Sequence, residues 1–358
     1  QAAPASTYVV NTLVQAADIN PGNNVCLDTN GMCSLLAAVM EANAHAGADT
    51  ITLMAGTHAI SQRLEPVQEL TINGAGSATT IIDGAGSGGA EGFRIRADVT
   101  FNDLTLRDFP HAIYIPSTES NHTVNVNNSK LRDNMHTDTS NSGSAVANYC
   151  ATCTINLSNV DVYNNAAPAC GAISSRGTLN ISNNSLVHGN QATNSIGGGI
   201  CVTDASLSIT QSRIYSNQAV NLASSAFGGA IYQSGGSLSI FLSEVYGNSA
   251  LHGGGIYADG GSFSALNTQF YGNSASGSGG GLFLNSFSIV IDSSLISQNT
   301  APYGGGVYIS NNTTIRNSTI ISNTVTKKGG GIYVNEDTLD LINATISGNQ
   351  ADEHGGGI

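Results

Sequence analysis

The sequence lacks tryptophan, has only 11 Lys and Arg, and is only 10% charged over its 358 residues. Any aromatic surface must therefore come from its 12 Tyr and 9 Phe. The net charge is −13 and no basic cluster exists to neutralise phosphates, which excludes nucleic acid and argues against anionic membrane surfaces. No apolar run approaches the roughly 20 residues of a membrane span, so this segment holds none. The start, Gln1-Ala-Ala-Pro-Ala-Ser6, lacks the basic and hydrophobic regions of a signal peptide and reads as a mature N-terminus after secretion.

What is abundant is glycine, 43 residues of it, together with Ser, Thr and Asn in the second half. Six cysteines form an even set. Cys26 and Cys33 flank a Gly/Asn/Asp-rich loop that a disulfide would close, and Cys150, Cys153, Cys170 and Cys201 fall in consecutive repeats. Cys150-Ala-Thr-Cys153 also has the form of a redox or zinc motif. No second CxxC or His pair at ligand spacing accompanies it, so six disulfide cysteines, no metal and no cofactor are expected. Pairing among the last four stays open.

A Gly-Gly-apolar element recurs with its apolar residue at Ile200, Ile231, Ile256, Leu282, Val307, Ile332 and Ile358, and weaker copies end at Val146 and Ile173. Each unit carries an alternating patch, as in Leu207-Ser-Ile209 and Leu238-Ser-Ile240. A third patch ends in Asn, as in Ile214 to Asn217 and Phe270 to Asn273. Alternation in runs this short means strands with one face inward. Three strands per unit and no helix between them predict an all-β, right-handed parallel β-helix. About a dozen coils, each about 4.8 Å high, make a rod on the order of 60 Å long.

Stacked coils place every position above its own copy. Glycine supplies the corner dihedrals that other residues resist. An inward Asn at a corner is expected to bond the coils above and below. Ser212, Ser243, Thr268, Ser294 and Ser318, each two residues before the third apolar position, are expected to do the same.

Residues 1–50 divide from the rest as an N-terminal strand (7–13) and a capping helix (34–46), with residues 51–358 as the β-helix. Ser34 is the expected N-cap, Gly47 the stop, and Leu35, Val39 and Ala42 the buried face. The segment from Cys33 to Asn43, Cys-Ser-Leu-Leu-Ala-Ala-Val-Met-Glu-Ala-Asn, resembles the CSLREA motif of secreted bacterial β-helix proteins. Ile51-Thr-Leu53 and Thr80-Ile-Ile-Asp-Gly84 are also like that group. Gly-Gly-Ala-Ile231 and Phe270-Tyr-Gly-Asn273 are similar to polymorphic outer-membrane protein repeats. The resemblance implies a secreted or surface-displayed protein, often adhesive or structural, with no assigned catalytic residues. Leu36 and Ala37 stand where the motif has Arg and Glu, so its capping-box carboxylate is lost.

β-Helices also include polysaccharide lyases and glycoside hydrolases, which need carboxylates and basic groups converging on one face. Leu106-Arg-Asp-Phe aligns over Leu131-Arg-Asp-Asn. This stacks Arg107 on Arg132 and Asp108 on Asp133, keeps His111 and His136 in register, and leaves Asp103 close. If the chain cleaves a glycan, Asp103, Arg107, Asp108, Arg132, Asp133 and His136 are the candidates; the simpler account is a ladder of ion pairs. Tyr232, Tyr257, Phe283, Tyr308 and Tyr333 follow the Gly-Gly-apolar positions and point outward as a stripe, either a sugar-contacting surface or a ladder stabilising its own solenoid. Tyr215, Tyr246 and Tyr271 form a shorter one. The outward series Ser208, Ser239, Ser264, Val290, Thr314, Asp340 is too irregular for an ice-binding array. The sequence stops within a repeat, so further coils or a pairing partner are expected there, strand 7–13 of a neighbour being one candidate. The function expected is a non-catalytic extracellular structural or adhesive protein. Its partners would be itself, as oligomer or filament, or cell-surface glycans.

Overall fold

The structure, a computed structural model, describes residues 4–85, 89–137, 143–220, 225–335 and 337–358. Residues 1–3 of the expected mature N-terminus lie outside them.

The expected solenoid is present. Among the described residues four sheets run along the rod, with 13, 12, 10 and 8 strands. A complete coil passes through Ile256–Asp259, Ser262–Leu266, Gln269–Tyr271 and Ser274–Ser278. Each strand pairs in parallel with the same strand of the next coil, as Ser262↔Ser288 and Phe263↔Ile289 do. The first three strands are the three patches read from the repeat. The fourth is an addition that begins at Ala166–Ala167 and has strands as short as two residues, too short for alternation to reveal.

Exact register turns sequence periodicity into a core. Leu207, Leu238, Phe263, Ile289, Thr313 and Leu339 stand in one column. The lone hydroxyl in that column, on Thr313, donates to the carbonyl of Asn311 at 2.9 Å. Ile200, Ile231, Ile256, Leu282, Val307 and Ile332 are fully buried in another column.

The corners obey two rules. A residue in the left-handed region comes immediately before each inward Asn: Asp133, Asn164, Gly189, Ser216, Gly247, Gly272, Gln298, Ser322 and Gly348 precede Asn134, Asn165, Asn190, Asn217, Asn248, Asn273, Asn299, Asn323 and Asn349. These asparagines join successive coils. Asn273 donates from its backbone N–H to Oδ1 of Asn299 at 2.9 Å, and from Nδ2 to the same oxygen at 3.1 Å and to the carbonyl of Val245 at 2.9 Å. A second left-handed residue precedes the buried Ser/Thr column. There Ser212 donates its N–H to Oγ of Ser243 at 3.1 Å, and Thr268 to Oγ of Ser294 at 3.2 Å. At the Gly-Gly-apolar corner, Gly253 takes φ +61°, and a Cβ on Gly254 would run into the carbonyls of Ser274 and Gly280.

The cap holds the expected helix, α1, over Leu35–Ala44, with Ser34 accepting the amide of Ala37 at 3.1 Å. It lies against strands Thr7–Val10 and Asp49–Leu53, and Leu35, Val39 and Ala42 are buried as read. Two details differ. The helix stops at His45, whose N–H donates to the carbonyl of Glu41, two residues before Gly47. Thr7–Val10 pairs with Thr50–Leu53 of its own chain as the outermost strand of its sheet, and it ends three residues short of the expected 7–13.

All six cysteines are paired: Cys26–Cys33, Cys150–Cys153 and Cys170–Cys201. The Cys-Ala-Thr-Cys segment is thus a disulfide-closed turn with both cysteines buried, and Cys170 and Cys201 staple adjacent coils.

Two substitutions test the corner rules. Asn273→Ala deprives the Asn248 amides of their acceptor in a buried site and is expected to cost roughly 2 kcal/mol or more in denaturant unfolding. Leu242→Gly removes a left-handed leucine (φ +49°) whose side chain is exposed, and is expected to stabilise by up to about 1 kcal/mol.

Candidate functional site

Strands Thr105–Arg107 and Lys130–Arg132 pair with Arg107 directly beside Arg132. Asp108 and Asp133 follow at the left-handed corners, φ +60° and +55°. Here Phe109 occupies the place that Asn takes in later coils, and its N–H donates to Oδ1 of Asn134 at 3.0 Å. Beyond the corner, the His111 and His136 rings lie 4.2 Å apart, and Nδ1 of His111 is 3.0 Å from the carbonyl of Gly143. A cleft of about 670 Å³ opens beside Asp108, Pro110, Asp133, Met135 and His136.

The two arginines are already committed. Arg107 forks onto Asp83, with Nη2 at 2.5 Å and Nε at 2.9 Å from Oδ2, and Nε lies 3.3 Å from Asp108. Arg132 is bonded to Asp133. Burial raises the pKa of Asp108 from its ordinary value, reinforced by Asp83 and Asp133 and opposed by Arg107 and Arg132. Asp103 does not join them. It occupies the turn before Thr105–Arg107, at the other end of that strand from Asp108, and is not among the charges acting on Asp108. Asp83 is the member that the sequence reading missed. Its coil, at residues 80–84, is irregular, and only the pairing Asp83↔Arg107 reveals it. Among the described residues no group of three or more His, Cys, Asp or Glu is arranged to hold a metal ion.

The aromatic stripe forms as expected, but its rings face one another. Tyr232, Tyr257, Phe283, Tyr308 and Tyr333 stack with centroids 5.7, 4.6, 4.6 and 5.1 Å apart and planes within 16° of parallel. Interior rings therefore present edges rather than faces to solvent. The second stripe is longer than Tyr215, Tyr246 and Tyr271. Tyr163 and His188 extend it, with His188 4.6 Å from Tyr215 and tied to Asp161 at 2.9 Å. The signal for it was Asp161-Val-Tyr163, which sits two coils below Arg213-Ile-Tyr215.

Residues 317–335 match the repeat of the Chlamydia polymorphic membrane protein family. No curated protein matches the sequence. Two solved structures are similar in outline. One is described as a rhamnogalacturonan lyase (TM-score 0.45, 11% identity, 83% of this chain and 82% of that one). The other is pectate lyase Pel9A (TM-score 0.38, 13% identity, 98% and 78%). Likeness at this level carries no argument about activity.

Two pH effects follow. Burial pushes the hydroxyls of Tyr257 and Tyr271 up to about 12, with Asp259 acting on the first and Glu244 on the second. An unfolded tyrosine ionises near 10. The stability these groups contribute is full below about pH 10 and lost as pH rises through about 12. Tyrosinate absorbance and urea midpoints measured across that window check it. The raised Asp108 works in the same sense at a lower pH: its ionised form opposes folding. Asp108→Asn is expected to raise the melting temperature at neutral pH. The gain should vanish below about pH 3, where the carboxyl is protonated in both states.

Proposed function

We propose that this chain is a non-catalytic structural or adhesive protein acting outside the cell, at the cell surface. The observation that carries this reading is how completely the outward groups are spent on their own copies in neighbouring coils. Rings stack on rings, as Phe283 does between Tyr257 and Tyr308. Amides bond amides, with Nδ2 of Asn156 donating to Oδ1 of Asn125 at 2.9 Å and Nδ2 of Asn180 to Oδ1 of Asn156 at 2.8 Å. Arginines pair with the adjacent carboxylates. Such a surface serves a durable rod. Three disulfides fit an oxidising compartment, and the match to a polymorphic membrane protein repeat supports display at a surface. The partners we assign are further copies of the chain or surface glycans.

One observation favours a second reading, glycan cleavage. Beside the cleft, burial raises the pKa of Asp108, and Asp133, bonded to Arg132, lines the same cleft one coil on, so two carboxylates stand where acid and base roles could be divided. Incubation with a panel of neutral and acidic polysaccharides, with and without calcium, separates the two. The structural reading expects no new reducing ends or unsaturated products. Reproducible cleavage that disappears in Asp108→Asn or Asp133→Asn, both of which tolerate the left-handed corner, would sink it.

A further inference from the structure

The first 62 residues contain no Lys or Arg. All four of their carboxylates are nevertheless buried: Asp18 is 6% exposed, Asp28 1%, Glu41 0% and Asp49 1%. A buried carboxylate needs donors or a counter-charge. Glu41 accepts the amides of Gly22, at 2.6 Å, and Asn24. Asp49 accepts the amide of Ser6 at 2.7 Å and has the His45 ring 3.6 Å away. Asp18 uses both oxygens, on the amides of Asn20 at 2.8 Å and Leu27 at 3.0 Å.

Asp28 is different. Its Oδ1 accepts the amides of Asn30 at 2.7 Å and Met32 at 3.1 Å, but its Oδ2 is inaccessible to solvent and has no partner. Asp28 is also the antiparallel bridge partner of Asp18, beside the bond from Ile19 N–H to the carbonyl of Leu27 at 3.0 Å. Partners in such a bridge carry their side chains on one face, close together, where like charges repel. Two buried carboxylates thus share a face, one with an orphaned oxygen, in a stretch without a basic side chain.

We propose that Asp18 and Asp28 bind a calcium ion that locks the N-terminal cap. With Cys26 and Cys33 joined to each other, neither offers a thiolate, and the two aspartates offer oxygen. Each aspartate is followed two residues later by an asparagine, Asn20 and Asn30, whose backbone N–H bonds back to it, so each side of the bridge has a neutral oxygen-bearing side chain close by in sequence. Two carboxylates supplemented by neutral oxygens in a loop suit calcium, which accepts irregular shells, better than magnesium, which demands a near-ideal octahedron. The Cys26–Cys33 disulfide closes the loop, and Glu41 of α1 fastens Gly22 and Asn24 to the helix. An ion at the bridge would therefore tighten the lid over the first coil.

The test uses the whole chain after chelator treatment. Terbium, a luminescent stand-in for calcium, is added and excited through tyrosine; Tyr8 is the expected sensitiser, since its hydroxyl bonds Oδ1 of Asn24 at 3.1 Å and lies within the field of Asp18. The expected result is saturable emission at one ion per chain, displaced by calcium. A cap transition about 5 °C higher in about 10 mM calcium than in chelator is also expected. Asp28→Asn should weaken binding at least tenfold and remove the shift. Tyr8→Phe should dim the emission and keep the shift. Identical melting of the unmodified chain in calcium and in chelator overturns the proposal whatever the variants do. So does a full shift retained in Asp28→Asn, and an equal shift from magnesium overturns the choice of ion.

Discussion

The molecule depends on a pairing of backbone and side chain at one corner: a left-handed residue followed by an inward asparagine. The left-handed residue turns the chain without a loop, and the turn leaves amides pointing along the rod with no strand to receive them. The asparagine oxygen of the next coil receives both the backbone amide and the side-chain amide, as Oδ1 of Asn248 does for Asn217. Without that acceptor the corner would bury unsatisfied donors in every coil. With it, a corner can be repeated indefinitely, and the sheets follow from the repetition.

This constraint also explains where the sequence is free. Any residue that tolerates positive φ serves before the asparagine, so Asp, Asn, Ser, Gln and Gly all appear there. Outward strand positions are restrained only by what stands above and below. Aromatics collect over aromatics and amides over amides because each gains from a copy at strand spacing. A cluster of charges such as Arg107, Asp83, Asp108, Arg132 and Asp133 arises by the same logic. It sets Arg107 in register with Arg132, and the carboxylates of Asp83 and Asp133 offset that like-charge contact.

Much of this was legible because stacking writes itself into spacing. Ile256, Leu282 and Val307 recur at nearly constant intervals since each must lie over the last, and Phe270 and Asn273 keep their separation for the same reason. The fourth ladder was hidden because a two-residue strand such as Gln191–Ala192 has no alternation to display. Asp83 was hidden because its coil lacks the repeat. Glu41 was hidden because a single acidic residue within a helical pattern looks solvent-facing, and only the fold of residues 20–24 over α1 shows what it holds. The link from Cys170 to Cys201 needed the register of Ser174 on Cys201 to become visible.

The asparagine ladder has one property that its individual bonds do not. Every Oδ1 in it accepts from the coil on its N-terminal side, from Asn134 through to Asn349. The side-chain dipoles are therefore all aligned, and each polarises the next. The rod has an electrical sense as well as a chain direction, like a battery of small cells wired in series through its interior.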